Sequence, residues 1–282
     1  MSAVTATRDA RLSDLPPAHG RAGIVGAIRS EFTKIRSVRS TYWTLLALVV
    51  VCIGLCALIT ASTASQFHHN QGPGGQDIFD ATQRSLTALY LGQLVMAVHG
   101  ALIITTEYST GMIRTSLTAM PRRGTVFAAK ALVFGAIALV VGEVTSFIMF
   151  LLGQALLHST GESATLSQPG VLRAVVGGGL FLAGCGLFSF GIGAIIRHSA
   201  GTISAALGLL FVLPILAAVL PQSWQSHVNK FLPSNAGAAI WSVRRAAQMY
   251  SPWTEFFIFL AWIAVLLIGV GLIVFVVRHR SE

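Results

Sequence analysis

Residues Thr105 to Lys130 read TTEYSTGMIRTSLTAMPRRGTVFAAK, a polar and basic stretch between two long apolar runs. Glu107 stands at the foot of one run and Lys130 at the start of the next. Arg114, Arg122 and Arg123 lie between them, with Gly111, Pro121 and Gly124 as breaks. A charged group in hydrocarbon costs roughly 2.5–3.5 kcal/mol on the insertion scale. One carboxylate and four cations therefore keep this segment in water or among headgroups. Short loops rich in Lys and Arg lie on the cytoplasmic side of a membrane. The stretch is expected to be an inner loop and a docking element for a soluble partner.

The rest of the chain supports a membrane setting. It has 282 residues, 54% hydrophobic and only 10% charged, against about 25% charged in an average soluble domain. Six apolar runs surround the quoted stretch: about 42–60, 86–106, 126–152, 174–196, 202–220 and 256–277. About 20 helical residues span a hydrocarbon core of roughly 30 Å, so six transmembrane helices and an all-α membrane protein are expected. With both termini inside, fourteen cations fall on inner segments and five (Arg84, Arg173, Lys230, Arg244, Arg245) on outer ones. That bias places the N- and C-termini in the cytoplasm and accounts for the net charge of +9. Cations spread over loop ends, rather than gathered with aromatics, do not suit nucleic acid.

Before the first span, residues 1–23 read as a disordered cytoplasmic tail with no early apolar h-region, so no cleaved signal peptide is expected. Residues 24–41 form an amphipathic pattern. Val25, Ile28, Phe32 and Ile35 share one helical face, Lys34 lies opposite, and Arg29 and Arg36 flank the stripe. Such a helix lies in the cytoplasmic interface or packs on a soluble partner. The 42–277 region holds the six spans, and 278–282 is a short cytoplasmic tail. Between the last two spans, residues 221–255 carry Trp224, Trp241, Tyr250 and Trp253. Aromatics of this kind favour the lipid–water boundary, so short interfacial or re-entrant helices are expected there.

The fourth run repeats glycine every seven residues in two sets, Gly177, Gly184, Gly191 and Gly179, Gly186, Gly193. They read as one small-residue seam for helix packing, within the subunit or at a dimer interface. Gly201, Ala205 and Gly208 form a shorter seam on the fifth span, which Pro214 is expected to kink. The chain has no G-x-x-x-x-G-K-[ST], H-E-x-x-H or G-x-S-x-G, so ATP hydrolysis, zincin and serine-hydrolase chemistry are not expected of it. Cys52, Cys56 and Cys185 lie in apolar runs with no C-x-x-C pair, and read as small buried apolar residues. His68 and His69 read as a surface pair, and no metal site is expected. Inside the spans, Gln93, His99, Glu143 and Gln154 are polar. Gln93 and Glu143 fall at similar depth on antiparallel helices and are candidates to pair, with His99 nearer the cytoplasm. They either line a substrate path or serve as neutral, hydrogen-bonded packing groups.

The quoted loop, through Glu107-Tyr108, Gly111, Arg114, Leu117, Pro121, Arg122-Arg123 and Ala129-Lys130, resembles the cytoplasmic loop of type-2 ABC transporter permeases of the bacterial exporter kind. SEFTKIRSVRSTYWT (Ser30 to Thr44) and FLPSNAG (Phe231 to Gly237) extend the likeness. The resemblance implies a permease subunit in the bacterial plasma membrane that pairs with a second copy or a paralogue. It implies coupling to a separately encoded ABC ATPase, which carries the ATP and magnesium, so that this chain binds no cofactor. The family's coupling helix falls within about Gly111 to Gly124, making Glu107, Gly111, Arg114, Leu117, Pro121, Arg122 and Arg123 the candidate coupling residues. Glu107 is expected to cap or orient the loop helix, to pair with Arg114, or only to mark the span's end. Two other readings stand beside this one: a stand-alone ion-coupled secondary transporter, for which Glu143 and His99 are the support, and a non-transporting scaffold.

Overall fold

The computed structural model describes residues 23–69, 80–112, 123–161, 163–243 and 250–279. Among these residues the structure is helical, without strands. A first helix α1 (Ile24–Ser37) leads through one extended residue, Val38, into α2 (Arg39–His69). The expected amphipathic helix thus ends four residues early, at Ser37. After residues 70–79, α3 (Ala81–Leu86) and α4 (Leu89–Ser109) form one span in two pieces, the first capped by Asp80 accepting from the Gln83 amide at 3.0 Å. Next come α5 (Arg123–Leu157) and α6 (Val171–Ile196). The fifth span is α7 (Ser199–Leu207), a π-helical turn (Gly208–Val212) and α8 (Leu213–Ala217). Two short helices, α9 (Gln222–Phe231) and α10 (Pro233–Ala238), precede the last span, α11 (Pro252–His279). Six of these stretches are long and apolar enough to cross a membrane.

Several hydroxyls within the spans fold back onto their own helices, while Ser146 of α5 donates across to the Val175 carbonyl of α6 at 2.6 Å. Thr60 donates to the Cys56 carbonyl at 2.6 Å, and Thr145 to the Val141 carbonyl at 2.7 Å. This satisfies a polar group where no water is at hand.

Helix α6 is the centre of the bundle. It packs along α4, α5 and α11, while the backbones of α4 and α5 make few direct contacts with each other. Glycine makes this possible. A Cβ on Gly177 would lie 2.8 Å from Ile240, on Gly184 2.5 Å from Phe259 and on Gly191 2.9 Å from Leu266. The other set faces elsewhere: a Cβ on Gly179 would lie 2.5 Å from Glu143, on Gly186 2.9 Å from Phe134 and on Gly193 2.5 Å from Ile104. Two residues are about 200° of helical turn, so the two sets line opposite sides of α6 rather than one seam. Both sets pack within the subunit. On the fifth span Gly208 meets nothing within 4 Å. The departure from α geometry there lies in the π turn just before Pro214. Proline lacks an N–H and crowds the carbonyl four residues earlier, and a widened turn absorbs that crowding.

At the end of the bundle away from α1, the segment before α11 folds back into the core. Leu232, Pro233, Ser234 and Ala236 to Trp241 are buried. Arg173 donates to the carbonyls of Ile240 (2.6 Å) and Ser242 (3.0 Å), and the Trp262 indole donates to the Phe231 carbonyl at 3.0 Å. Arg244 and Arg245 lie outside the described residues.

Candidate functional site

The charged groups that the sequence sets at helix ends meet at the α1 end of the bundle. On α1 the buried residues are Ala27, Glu31 and Ile35, spaced four apart. The expected apolar stripe is split. Ile28 and Ile35 turn toward the bundle, while Val25 and Phe32 remain 75% and 50% exposed. The reason is a better inward face. Small Ala27 packs against Ala129 of α5, and one helical turn further Glu31, only 2% exposed, reaches a lysine.

That lysine is Lys130, 4% exposed in the second turn of α5. Its Nζ donates to Glu31 Oε2 and, at 2.6 Å, to Glu107 Oε1 in the last turn of α4. Lys34 completes the cluster, 2.8 Å from Glu31 Oε1 and 3.8 Å from Glu107 Oε1. Two carboxylates and two ammonium groups balance, and each carboxylate touches both lysines. Removing one member of a buried pair costs about 3–5 kcal/mol because the remaining charge has lost its partner. The cluster therefore fixes α1, α4 and α5 against one another. The partners of Glu107 are Lys130 and Lys34; Arg114, the partner considered from sequence, lies outside the described residues.

The same turn of α4 holds two more elements. The Ser199 hydroxyl, at the start of α7, donates to Thr105 Oγ1 at 2.8 Å. The Arg197 guanidinium lies over the Tyr108 ring, 5.5 Å from its centroid. Arg197 closes α6 in a left-handed conformation (φ 59), with its amide bonded to the Gly193 carbonyl at 2.8 Å. Thr105, Glu107 and Tyr108 thus join α4 to α1, α5 and the α6–α7 turn, within a few residues of the end of α4 at Ser109. Gly111, at φ 71, supplies the left-handed turn there. Leu117, Pro121 and Arg122 lie outside the described residues, and Arg123 is the first residue of α5.

The polar residues inside the spans do not form one patch. Gln93 is buried and accepts from the Ser234 hydroxyl at 2.9 Å. His99 Nδ1 lies 2.8 Å from Thr44 Oγ1, with its ring 5.7 Å from Phe134. Glu143 packs on the Gly179 backbone, and its Oε2 has no hydrogen-bond partner among the described residues. The expected Gln93–Glu143 pair is absent: Gln93 is taken up by Ser234, and Glu143 lies against Gly179 of α6. Gln154 ties span ends together, donating to Ser85 Oγ at 3.0 Å and accepting from the Ala164 amide at 2.6 Å. Cys52, Cys56 and Cys185 are free and buried.

Reading from sequence missed Glu31 and Lys34. The available signal was that Glu31 is the sole acid between Asp14 and Asp77, sited among cations on a helix beside a span end.

Six apolar helices with a paired, charged end define a multi-pass membrane protein whose spans are tied together at one end. A family model described as ABC-2 family transporter protein matches residues 27–213. The chain belongs to that family and is a type-2 ABC transporter permease. No curated protein matches it. The matched region contains all four residues of the charged cluster and ends in the fifth span, so α9, α10 and α11 lie beyond it.

Proposed function

We propose that this chain is the membrane-spanning subunit of an ABC exporter, driven by a separate ATPase that docks on the loop between the second and third spans, about Gly111 to Gly124. In this reading both termini and the loop face the cytoplasm of a bacterial cell, α1 lies in the inner interface, and a second permease copy or paralogue completes the path. ATP and magnesium belong to the ATPase. The observation that carries the reading is the last turn of α4. Glu107 is bound to Lys130 and, through it, to Glu31, while Tyr108 and Thr105 contact the α6–α7 turn. A push on the adjoining loop then moves the ends of four spans and α1 as a unit. The cation bias of the inner segments supports the orientation.

The test is co-expression with a P-loop ATPase in proteoliposomes, reading substrate-stimulated ATP hydrolysis. Glu107→Ala and Arg114→Ala are expected to lower the stimulated fraction by about fivefold or more, within the usual range of coupling free energies, while membrane insertion is unchanged. Unchanged transport and unchanged ATPase co-purification in both variants would overturn the docking role. Glu143, with an oxygen left unpaired in a span, is what favours ion-coupled transport instead. Transport that follows an imposed proton gradient without ATPase would establish that alternative.

A further inference from the structure

Turning Glu31 inward has an electrostatic consequence on the other side of α1. The acid is withdrawn into the cluster, and the outward surface is left to cations. Arg29 and Arg36 are exposed two helical turns apart on one side of α1, and half-buried Lys34 lies across the groove from Arg29. Arg29, Thr33, Lys34 and Ser37 border a shallow groove of about 430 Å³. Its floor is open at Gly26, where a Cβ would meet nothing within 4 Å. The hydroxyls of Thr33 and Ser37 donate to the Arg29 and Lys34 carbonyls at 2.9 and 2.8 Å, so the groove presents its charge through the basic side chains.

The surroundings suit a headgroup level. Val25 and Phe32 are exposed apolar residues on the same helix, and Tyr42 and Trp43 are exposed in the first turns of α2. The Tyr42 hydroxyl donates to the Arg36 carbonyl at 3.0 Å. Tyr and Trp favour the boundary between lipid and water, and guanidinium groups match the paired oxygens of a phosphodiester.

We infer that the groove between Arg29 and Lys34, with Arg36 two turns along on the Arg29 side, is a binding site for the headgroup of an anionic phospholipid in the leaflet that borders α1. The inference rests on the membrane setting proposed above, and it adds a regulator to the coupling end. Lys34 belongs to both places, since it lines the groove and touches Glu31 and Glu107. A phosphate that draws Lys34 outward leaves both carboxylates to Lys130 alone, so headgroup binding and the tightness of the cluster are linked.

The experiment is native mass spectrometry of the full chain, purified in detergent without ATPase and offered equimolar phosphatidylglycerol and phosphatidylcholine. The wild type is expected to retain phosphatidylglycerol preferentially. Arg29→Gln with Arg36→Gln should reduce that preference, by about fivefold per arginine, while Arg84→Gln at the opposite end should not. Equal retention of the two lipids by the wild type, or an unchanged preference in the double variant, would overturn the site. Equal competition by inorganic phosphate would also overturn it, by showing a phosphate site without lipid selectivity. If the double variant keeps its lipid preference but loses ATPase co-purification, the face is an ATPase-docking surface and the lipid assignment is wrong. Because the lipid readout needs no ATPase, failure of the coupling test with lipid preference intact would sink the proposed function alone.

Discussion

Lys130 is the residue on which the α1 end depends. It is buried, it contacts both carboxylates, and it comes from a different helix than either. Lys130→Met keeps the length of the side chain and removes the charge, leaving two carboxylates to share Lys34. The expected loss is about 3–5 kcal/mol, seen as a lower melting temperature in detergent, and Glu107→Gln with Lys130→Met, which restores the charge balance around the Glu31–Lys34 pair, should recover part of it. A variant that melts like the wild type would mean the cluster is screened by water and contributes little. At the other end, Ser234→Ala leaves the buried Gln93 oxygen without its donor and should cost about 1–3 kcal/mol, whereas Gln93→Leu with Ser234→Ala should recover much of it. The charges at 107 and 130 were legible as span ends. Their pairing was not, because Glu31 is 99 residues from Lys130 and helical periodicity ranks apolar residues only. A stripe of Val25, Ile28, Phe32 and Ile35 scored well, yet one ion pair and a small alanine set the rotation of α1.

Among the elements, α6 decides the order of the others. One set of its glycines receives both α4 and α5, and the other receives α11 and the segment before it. Gly142 of α5 meets the α6 backbone: a Cβ there would lie 2.8 Å from the Gly179 carbonyl oxygen. Gly142→Ala is expected to cost about 1–3 kcal/mol, since overpacking against backbone has no flexible side chain to relieve it. Gly54 of α2 has nothing within 4 Å, so Gly54→Ala should be neutral or stabilising by roughly 0.5–1 kcal/mol. Thermal melts of the two variants in the same detergent check the contrast, and equal shifts would contradict the packing assigned to α6. The seven-residue glycine repeat was plain in the sequence. The offset of two residues between the sets was there as well, and it is that offset which makes two packing faces instead of one. The π turn was legible only as a proline, because a proline marks where a helix must yield but not how.

For the molecule as a whole, the six spans could be read from length and hydropathy, since hydrocarbon imposes a single requirement on every crossing segment. Which spans touch could not, since contact depends on side-chain relief rather than on apolarity. The first, fifth and sixth spans are mostly exposed while α6 is mostly buried, which leaves their outward faces to lipid or to a second copy. The native cysteines help the decisive test, because Cys52, Cys56 and Cys185 are each fully buried and give little background to a soluble thiol reagent. That test is maleimide labelling of Arg122→Cys in intact cells and in inside-out vesicles, with and without the partner ATPase. The expected result is no labelling from outside, ready labelling in inside-out vesicles, and protection when the ATPase is bound. Labelling in intact cells, or labelling that the bound ATPase leaves unchanged, would contradict a cytoplasmic loop that receives the ATPase.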